Sequence, residues 1–518
     1  MPENKQPKDS SGRVPLPPIS RKSMKSGLIN EGSVSENERP ETSVSESLNF
    51  HFDAIGSATI RKGYTILGNN LGGAILGMHY HVDTVAGTQS RLIVVAGTSA
   101  YYLSGGTYVE KRTGLTANKA RFATYLNYVF MVNGANDTAV WDGTTGNNFV
   151  TTGNASGAPI GKYIESFRGR MWIAGNSTFP DRLYYSSVPT STASPVVTWD
   201  TDVATGQWID ISPNDGDTIT GIQRFRQWEI IFKTNRLYRV FDIGQVDPDP
   251  YYAVGTSSQE SVVETKVGVF FHHSTGIFQF DINGIVQEVS RPIWDIIRAV
   301  PATQYANVTG WLEADGDHVT WSLGNVTIKG ITYVNLHVRY TLSTQVWTHY
   351  SYSNNFVMSI RRQPFYENGA TIWTLAGDSL GNVMMMNNGN TDNGTSILYS
   401  LIHRWDNVDG FLSTRKTLMT GNFSHYGGTG GTVAFQTEDN VPDAMNDWTR
   451  KVGKGILKPT NTGFNAMDIK ARKVRFRIFG ESKGTPFEYN GYELFSAEPR
   501  PATERHLTSR SAAGRSPA

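Results

Sequence analysis

Between about residue 90 and residue 390 the apolar positions come in short runs of four or five. Each run is followed by a polar or glycine turn and then by a second strand opening near a tyrosine, phenylalanine or tryptophan. RLIVVAGTSAYYL (91–103) is one such unit, and YLNYVFMVNGANDTAVWDG (125–143), SFRGRMWIAGNSTFPDRLYYSS (166–187), FRQWEIIFKTNRLYRVFD (225–242) and VGVFFHHSTGIFQFDING (267–284) repeat it in other words. Turns at Gly97, Gly134, Gly175, Lys233 and Ser274 stand 37, 41, 58 and 41 residues apart; another falls at Gly377, with room for one more unit near Trp321. A period in the forties is that of a four-stranded propeller blade. Such a unit is apolar on both flanks and must be buried between neighbours, which a closed ring does for every member. The fold class predicted is all-β: a β-propeller of six or seven blades over 48–395.

After about 395 the rhythm breaks. ARKVRFRIFG (471–480) alternates strictly, with Val474, Phe476 and Ile478 on one face and Lys473, Arg475 and Arg477 on the other. Residues 396–495 are predicted to form an antiparallel sheet domain, a sandwich attached to the propeller. Helix is scarce; the best candidate is PIWDIIRAV (292–300), where Pro292 suits a first helical turn.

Composition supports a large core, at 38 % hydrophobic, 11 % aromatic and 18 % charged residues, and excludes wholesale disorder. The 1–47 segment differs, with ten serines, six prolines and no aromatic residue. Its charge is segregated, six basic and two acidic residues in 1–25 against one basic and five acidic in 31–46. It reads as a disordered arm, and 496–518, with Arg500, Arg505, Arg510 and Arg515 among small residues, as a flexible tail. A net charge of +1 gives no chain-wide footprint for nucleic acid. Cys 0 removes disulfides, thiolate metal sites and cysteine nucleophiles together. The N-terminus lacks the apolar stretch of a secretory signal, and no run approaches a membrane span, so a soluble protein made in the cytosol is expected.

Candidate chemistry is thin. Trp141-Asp142, Trp199-Asp200 and Trp405-Asp406 are not at equivalent blade positions and read as core or turn residues. Ser212–Ile219 loosely matches the Asp-box turn of sialidase-like propellers, but Asn214 and Ile219 depart from it and it occurs once. A sialidase would also need converging arginines and a tyrosine with a carboxylate partner. His79 and His81 share a strand face and offer two ligands; His272 and His273 point apart. Asp215-Gly-Asp217 and Asp315-Gly-Asp317 are foremost turn signals. Neither a phosphate loop nor a nucleophile elbow is present. No catalytic, cofactor or metal residue is assigned, and no cofactor is expected.

The strongest local feature is a basic stripe, Lys470, Arg472, Lys473, Arg475 and Arg477. Like charges at this spacing repel unless something negative lies opposite. The stripe is a candidate surface facing DNA or another subunit, against the alternative of a solvated strand face.

The ordered set IGSATIRKGYTILG (55–68), VVAGTSAYYL, YVFMVNGAND with VWDG, APIGKYIESFRGRMWIAG (158–175), DRLYYSSV (181–188), DGDTITGIQRF (215–225), FKTNRLYRV (232–240) and VGVFFHHSTGIFQFDING (267–284) resembles the propeller-bearing tail proteins of bacteriophages, notably the tail-hub or nozzle proteins of short-tailed phages. The resemblance runs over roughly 50–300, and more loosely to the C-terminal sheet domain. It implies a virion structural protein, made in the host cytoplasm, rather than an enzyme. Its copies would form a ring, commonly a hexamer, below the portal and adaptor. The ring would surround a channel in transient contact with double-stranded DNA and anchor tail fibres or spikes. Two other readings stand beside it: a receptor- or carbohydrate-binding propeller protein of the virion, and a propeller glycosidase with two carboxylates in a central pocket.

Overall fold

The computed structural model describes residues 19–30, 39–81, 91–189, 197–246, 251–352, 359–363, 373–407, 416–427, 432–437, 455–456, 460–471, 473–482 and 484–497. Among them seven blades follow one another, each an antiparallel sheet of four strands except the second, which has three. Their first strands are Ile75–His81, Arg121–Tyr125, Tyr163–Phe167, Ile219–Phe225, Val263–Thr265, Thr309–Leu312 and Ser359–Gln363. Each lies against the next, through the 3-10 turn Gln259–Ser261 between blades 4 and 5, and the seventh returns to the first. The ring is closed.

The apolar runs that set the rhythm are the second strands of the blades, and they are apolar on both faces for a reason. Alternate residues of a strand point to opposite faces, and here both faces meet another blade. Ile93 and Val95 of blade 1 pack on Val129 and Met131 of blade 2, whereas Leu92, Val94 and Ala96 pack on Leu375 and Val383 of blade 7. Blade 2 repeats the arrangement, with Phe130 and Val132 facing Ile164, Met171 and Ile173 of blade 3. The remaining four interfaces each have their own cluster, for example Phe225, Ile230, Val269 and Phe271 between blades 4 and 5. Burying one such side chain stabilises by about 1.5–3 kcal/mol, so the core is divided among the seams. Glycine permits the tightest of them: a Cβ on Gly377 would sit 2.4 Å from Cγ2 of Ile75, at the closing seam.

The turns at Gly97, Gly134, Gly175, Lys233, Ser274 and Gly377 all join a second strand to a third, and so lie on one face of the disc. Trp321 lies on the second strand of blade 6, His318–Ile328, within the unit expected near it. The helix anticipated at 292–300 is Trp294–Arg298, preceded by a 3-10 turn with Pro292 in its first positions.

Blade 7 takes its outer strand from far upstream: Tyr64–Ile66 pairs antiparallel with Val383–Met386. The preceding residues belong to the second body. One sheet runs Thr460–Ala471, Lys416–Gly427, Phe487–Ala497, Ala58–Ile60, Phe50–Phe52, with Ile19–Arg21 also on Phe487–Ala497. The other continues from blade 6 through Ser43–Leu48, Leu398–His403 and Lys473–Glu481 to Thr432–Thr437. Between them lies a core that includes Val44, Phe50, Phe423, Phe476, Ile478, Tyr489 and Tyr492.

The disordered arm expected over 1–47 is corrected by this. Residues 1–18 and 31–38 lie outside the described residues, but 19–30 and 39–47 are built into the sandwich and its seam with blades 5 and 6, where Leu28 packs. Met24, Leu28 and Val44 are buried, Arg21 reaches Asp406 at 3.0 Å, and Ser43–Leu48 is paired on both sides. A segment too polar to make a core of its own is held by joining one made elsewhere, which composition does not register. The propeller accordingly begins at Tyr64, not at 48. The tail expected from 496 begins no earlier than 498, since the last strand runs to Ala497; 498–518 are outside the described residues.

Candidate functional site

The basic stripe lies at the joint between propeller and sandwich. Arg472 is outside the described residues, and Lys470 sits in the other sheet, where its backbone pairs with Thr417. Lys473, Arg475 and Arg477 alternate with the buried Val474, Phe476 and Ile478 as expected, but are themselves half-buried. Arg477 Nε donates to Ser400 Oγ at 3.0 Å, and the Arg475 guanidinium lies 4.6 Å over the Trp405 ring. What stands opposite is Glu46, 4 % exposed, which accepts from the Tyr333 hydroxyl at 3.3 Å. Burial pushes the Glu46 carboxyl up, while Arg477, Ser400, Tyr333 and Arg475 act to bring it down. Glu41 of the same acidic stretch meets Arg21 at 3.2 Å and Arg404 at 3.7 Å. The guanidinium groups of Arg475 and Arg477 thus face an acid of their own chain.

Arg61 locks the two bodies together. It donates to Asn49 Oδ1 (2.9 Å), to both carboxylate oxygens of Asp392 (2.7 and 2.6 Å), and to the carbonyls of Lys62 and Ser351, while stacking 3.8 Å over Tyr352. All five of its N–H groups are used. Beside it a cleft of about 720 Å³ opens between the sandwich and the hairpin of blade 6. Leu48, Ile331, Val334, Ile397 and Leu398 supply apolar walls, and Leu398 is 59 % exposed.

The axis of the disc is bridged. Glu260, in the turn between blades 4 and 5, accepts from Arg121 Nε at 2.7 Å and from Lys119 Nζ at 3.2 Å, both of blade 2 on the opposite side of the ring. Lys119 also donates to the Ala306 carbonyl and Arg121 to the Lys162 carbonyl, and the Arg121 guanidinium covers Tyr163 at 4.7 Å. A tyrosine, an arginine and a carboxylate therefore meet on the axis, the ingredients a sialidase would need. The arginine, however, is bound to the carboxylate and not left open to a substrate.

His79 Nε2 lies 2.7 Å from Thr124 Oγ1 and its ring stacks on Phe122; His81 is fully buried. Burial lowers His272 to about 3, with His273 adding to the effect, so its ring is neutral. The Asp-box-like turn is a clamp for the buried Lys233, whose Nζ donates to Asp181 and Asp215 at 2.9 Å and to the Ser212 carbonyl at 3.0 Å. Asp217 accepts from the backbone N–H groups of Thr234 and Asn235. Among the described residues Glu313, Asp315 and His318 gather ligand atoms within 4.8 Å of one another. Yet Arg339 holds both oxygens of Glu313, at 2.9 and 2.8 Å, and His318 lies 2.6 Å from Asp315, so this cluster is already neutralised from within. Trp141 is a core residue, donating from Nε1 to the carbonyls of Thr144 and Asn147.

Glu260, Arg61 and Glu46 are the residues sequence reasoning missed. Each acquires its role from a partner more than a hundred residues away; no local pattern marks Glu260 or Arg61, and Glu46 is marked only as one acid of the 31–46 block. Glu229 had a signal, a single acid inside the apolar run WEIIFK.

Neither a protein-family model nor a curated protein sequence matches the chain. Among solved structures it is similar to the extracellular domain of the putative hybrid two component system BT4673 from B. thetaiotaomicron, with 12 % identity and a TM-score of 0.40 over 72 % of this chain and 45 % of that one. The chain thus spans less than half of that domain. It is also similar to YCF48 from Cyanidioschyzon merolae, at 9 % identity and 0.39 over 62 % of this chain and 98 % of that one. BamB from Moraxella catarrhalis matches at 10 % and 0.36 over 72 % and 96 %. All are propeller proteins. The all-β propeller architecture of this chain is given by its own sheets.

Proposed function

We propose that this chain is a structural ring protein of the tail-hub or nozzle type, as its ordered blade motifs suggest. In this reading copies assemble through subunit interfaces repeated by symmetry, as a hexamer in the resembled family, between the adaptor and portal above and the fibres or spikes outside. The observation that carries the proposal is the bridged axis. Arg121, Lys119 and Glu260 spend their charges on one another where an enzyme of this architecture would keep a funnel open. Arg61, Arg339 and Lys233 are likewise fully engaged, a pattern that favours a rigid block. In this reading a duplex does not pass an axis spanned by the two ion pairs of Glu260, and its path runs between subunits around the centre of a ring.

Electron microscopy and mass photometry of the purified chain, alone and with connector proteins, test this. Rings with a duplex-wide hole are expected; monomers under every condition would overturn it. The cleft beside Arg61 favours a second reading, a receptor- or carbohydrate-binding propeller protein, since its volume falls in the range of ligand sites, roughly 300–1,000 Å³. Saturable glycan binding by a lone monomer, abolished by Leu398→Asp, would move the assignment there.

A further inference from the structure

The seam between blades 3 and 4 holds a group with no use in the reading above. Glu229 lies on the second strand of blade 4, Trp228–Lys233, with its side chain toward blade 3. It is 0 % exposed, and neither carboxylate oxygen has a hydrogen-bond partner. Its neighbour Ile231, on the same face of the strand, packs against Trp172 and Leu183 of blade 3.

The charged groups that act on it are Glu165, from the first strand of blade 3, and Arg224, from the first strand of its own blade. Glu165 repels a charge on Glu229. Arg224 attracts it, yet is spent elsewhere: its Nη1 donates to the Ser166 carbonyl at 3.4 Å, and it also lies in the field of Glu264 on blade 5. No ion pair forms between Arg224 and Glu229 among the described residues. A carboxylate deprived of water and of donors, with another acid nearby, is far less stable than the neutral acid. Burial, first, and Glu165, second, raise the Glu229 carboxyl well above its ordinary range.

We propose that Glu229 and Glu165 make the seam between blades 3 and 4 a proton-dependent joint, closed while Glu229 is neutral and released at that edge when it ionises. This goes beyond the tail reading and does not depend on it. The direction follows from linkage. An acid whose closed-state affinity for its proton exceeds that of the open state stabilises the closed seam fully at low pH. That contribution is lost as pH rises from the ordinary glutamate range toward the raised one. One proton makes the slope tenfold in the open-to-closed ratio per pH unit, which is 1.36 kcal/mol.

Hydrogen exchange of the intact chain across that span of pH, read on Tyr163–Phe167 and Trp228–Lys233 with the strands of blade 6 as internal reference, tests the proposal. After correction for intrinsic exchange, protection of the two strands should fall about tenfold per pH unit while blade 6 stays level. Glu229→Gln, which keeps the shape of the neutral acid, should match the wild type at the acid end and remain flat. Glu165→Gln should shorten the span, because removing the repelling charge lowers the pH at which Glu229 ionises in the closed seam. Level protection in the wild type, or an equal loss in Glu229→Gln, overturns it. If Glu229→Gln does not fold, an unchanged span in Glu165→Gln does so instead.

Discussion

Two ionisable groups four residues apart on one strand face the same neighbouring blade and are treated oppositely. Lys233, 0 % exposed, finds four acceptors: the carboxylates of Asp181 and Asp215 and the carbonyls of Ser212 and Asp217. Glu229, equally enclosed, finds no donor. The cation sits where a turn delivers acids and carbonyls; the acid sits among apolar side chains beside another acid. Burial by itself therefore says nothing of whether a charge holds a seam together. The supply of partners decides it, and the two ends of this interface should fail at opposite ends of the pH scale.

The largest effect should come from Lys233→Met, which strands two carboxylates inside the clamp. Breaking a buried pair from one side destabilises by about 3–5 kcal/mol, readable in equilibrium denaturation; a loss under about 1 kcal/mol would mean that water replaces the cation. Next is Asp215, where burial opposes ionisation but Lys233, the Asp217 N–H and Arg236 hold the carboxyl down to about 2. Its contribution is complete above the ordinary aspartate range and lost as pH falls toward 2. Asp215→Asn should lower stability at neutral pH by roughly 1–3 kcal/mol and flatten the acid limb. An unchanged acid limb would assign it to other groups.

At the sandwich joint Arg477→Gln should lower stability by about 1–2 kcal/mol and leave Glu46 facing a weaker field. Reversing Lys473, Arg475 and Arg477 to Glu should impair folding itself, because like charge would be set against Glu46; a thermal midpoint equal to wild type would return the stripe to an outward role. The smallest effect belongs to Arg226→Gly. This turn residue beside the Glu229 end has φ of 55°, where glycine is at ease, so a gain of about 0.5–1 kcal/mol is expected.

The blades were legible because their signal is local: a doubly buried strand must read as an unbroken apolar run, and a tight reversal must read as glycine or a polar residue. That is why the turns at Gly97, Gly134, Gly175 and Gly377 fell into register. The joint was visible only as two unsolved problems. The acids of 31–46 and the bases of 473–477 each stood out as an uncompensated block of charge, and among the described residues Glu46 answers Arg475 and Arg477. Pattern within a window cannot pair blocks over four hundred positions apart. Arg61 and Glu260 left no mark at all, since a single arginine or glutamate near a turn is what any soluble surface contains.

Blade 7 borrows its last strand from Tyr64–Ile66, so a ribosome must finish Val383–Met386 before that early piece has anything to pair with. At roughly 5–20 residues per second the wait is on the order of tens of seconds. Ile19–Arg21 waits longer still, for Phe487–Ala497. During that time the open ring presents an uncovered flank at each of its two ends, blade 1 and the last blade made, and a product cut short upstream never loses them. The chain thereby carries its own test of completeness, in which the opening words can be spoken only once the closing ones have been heard.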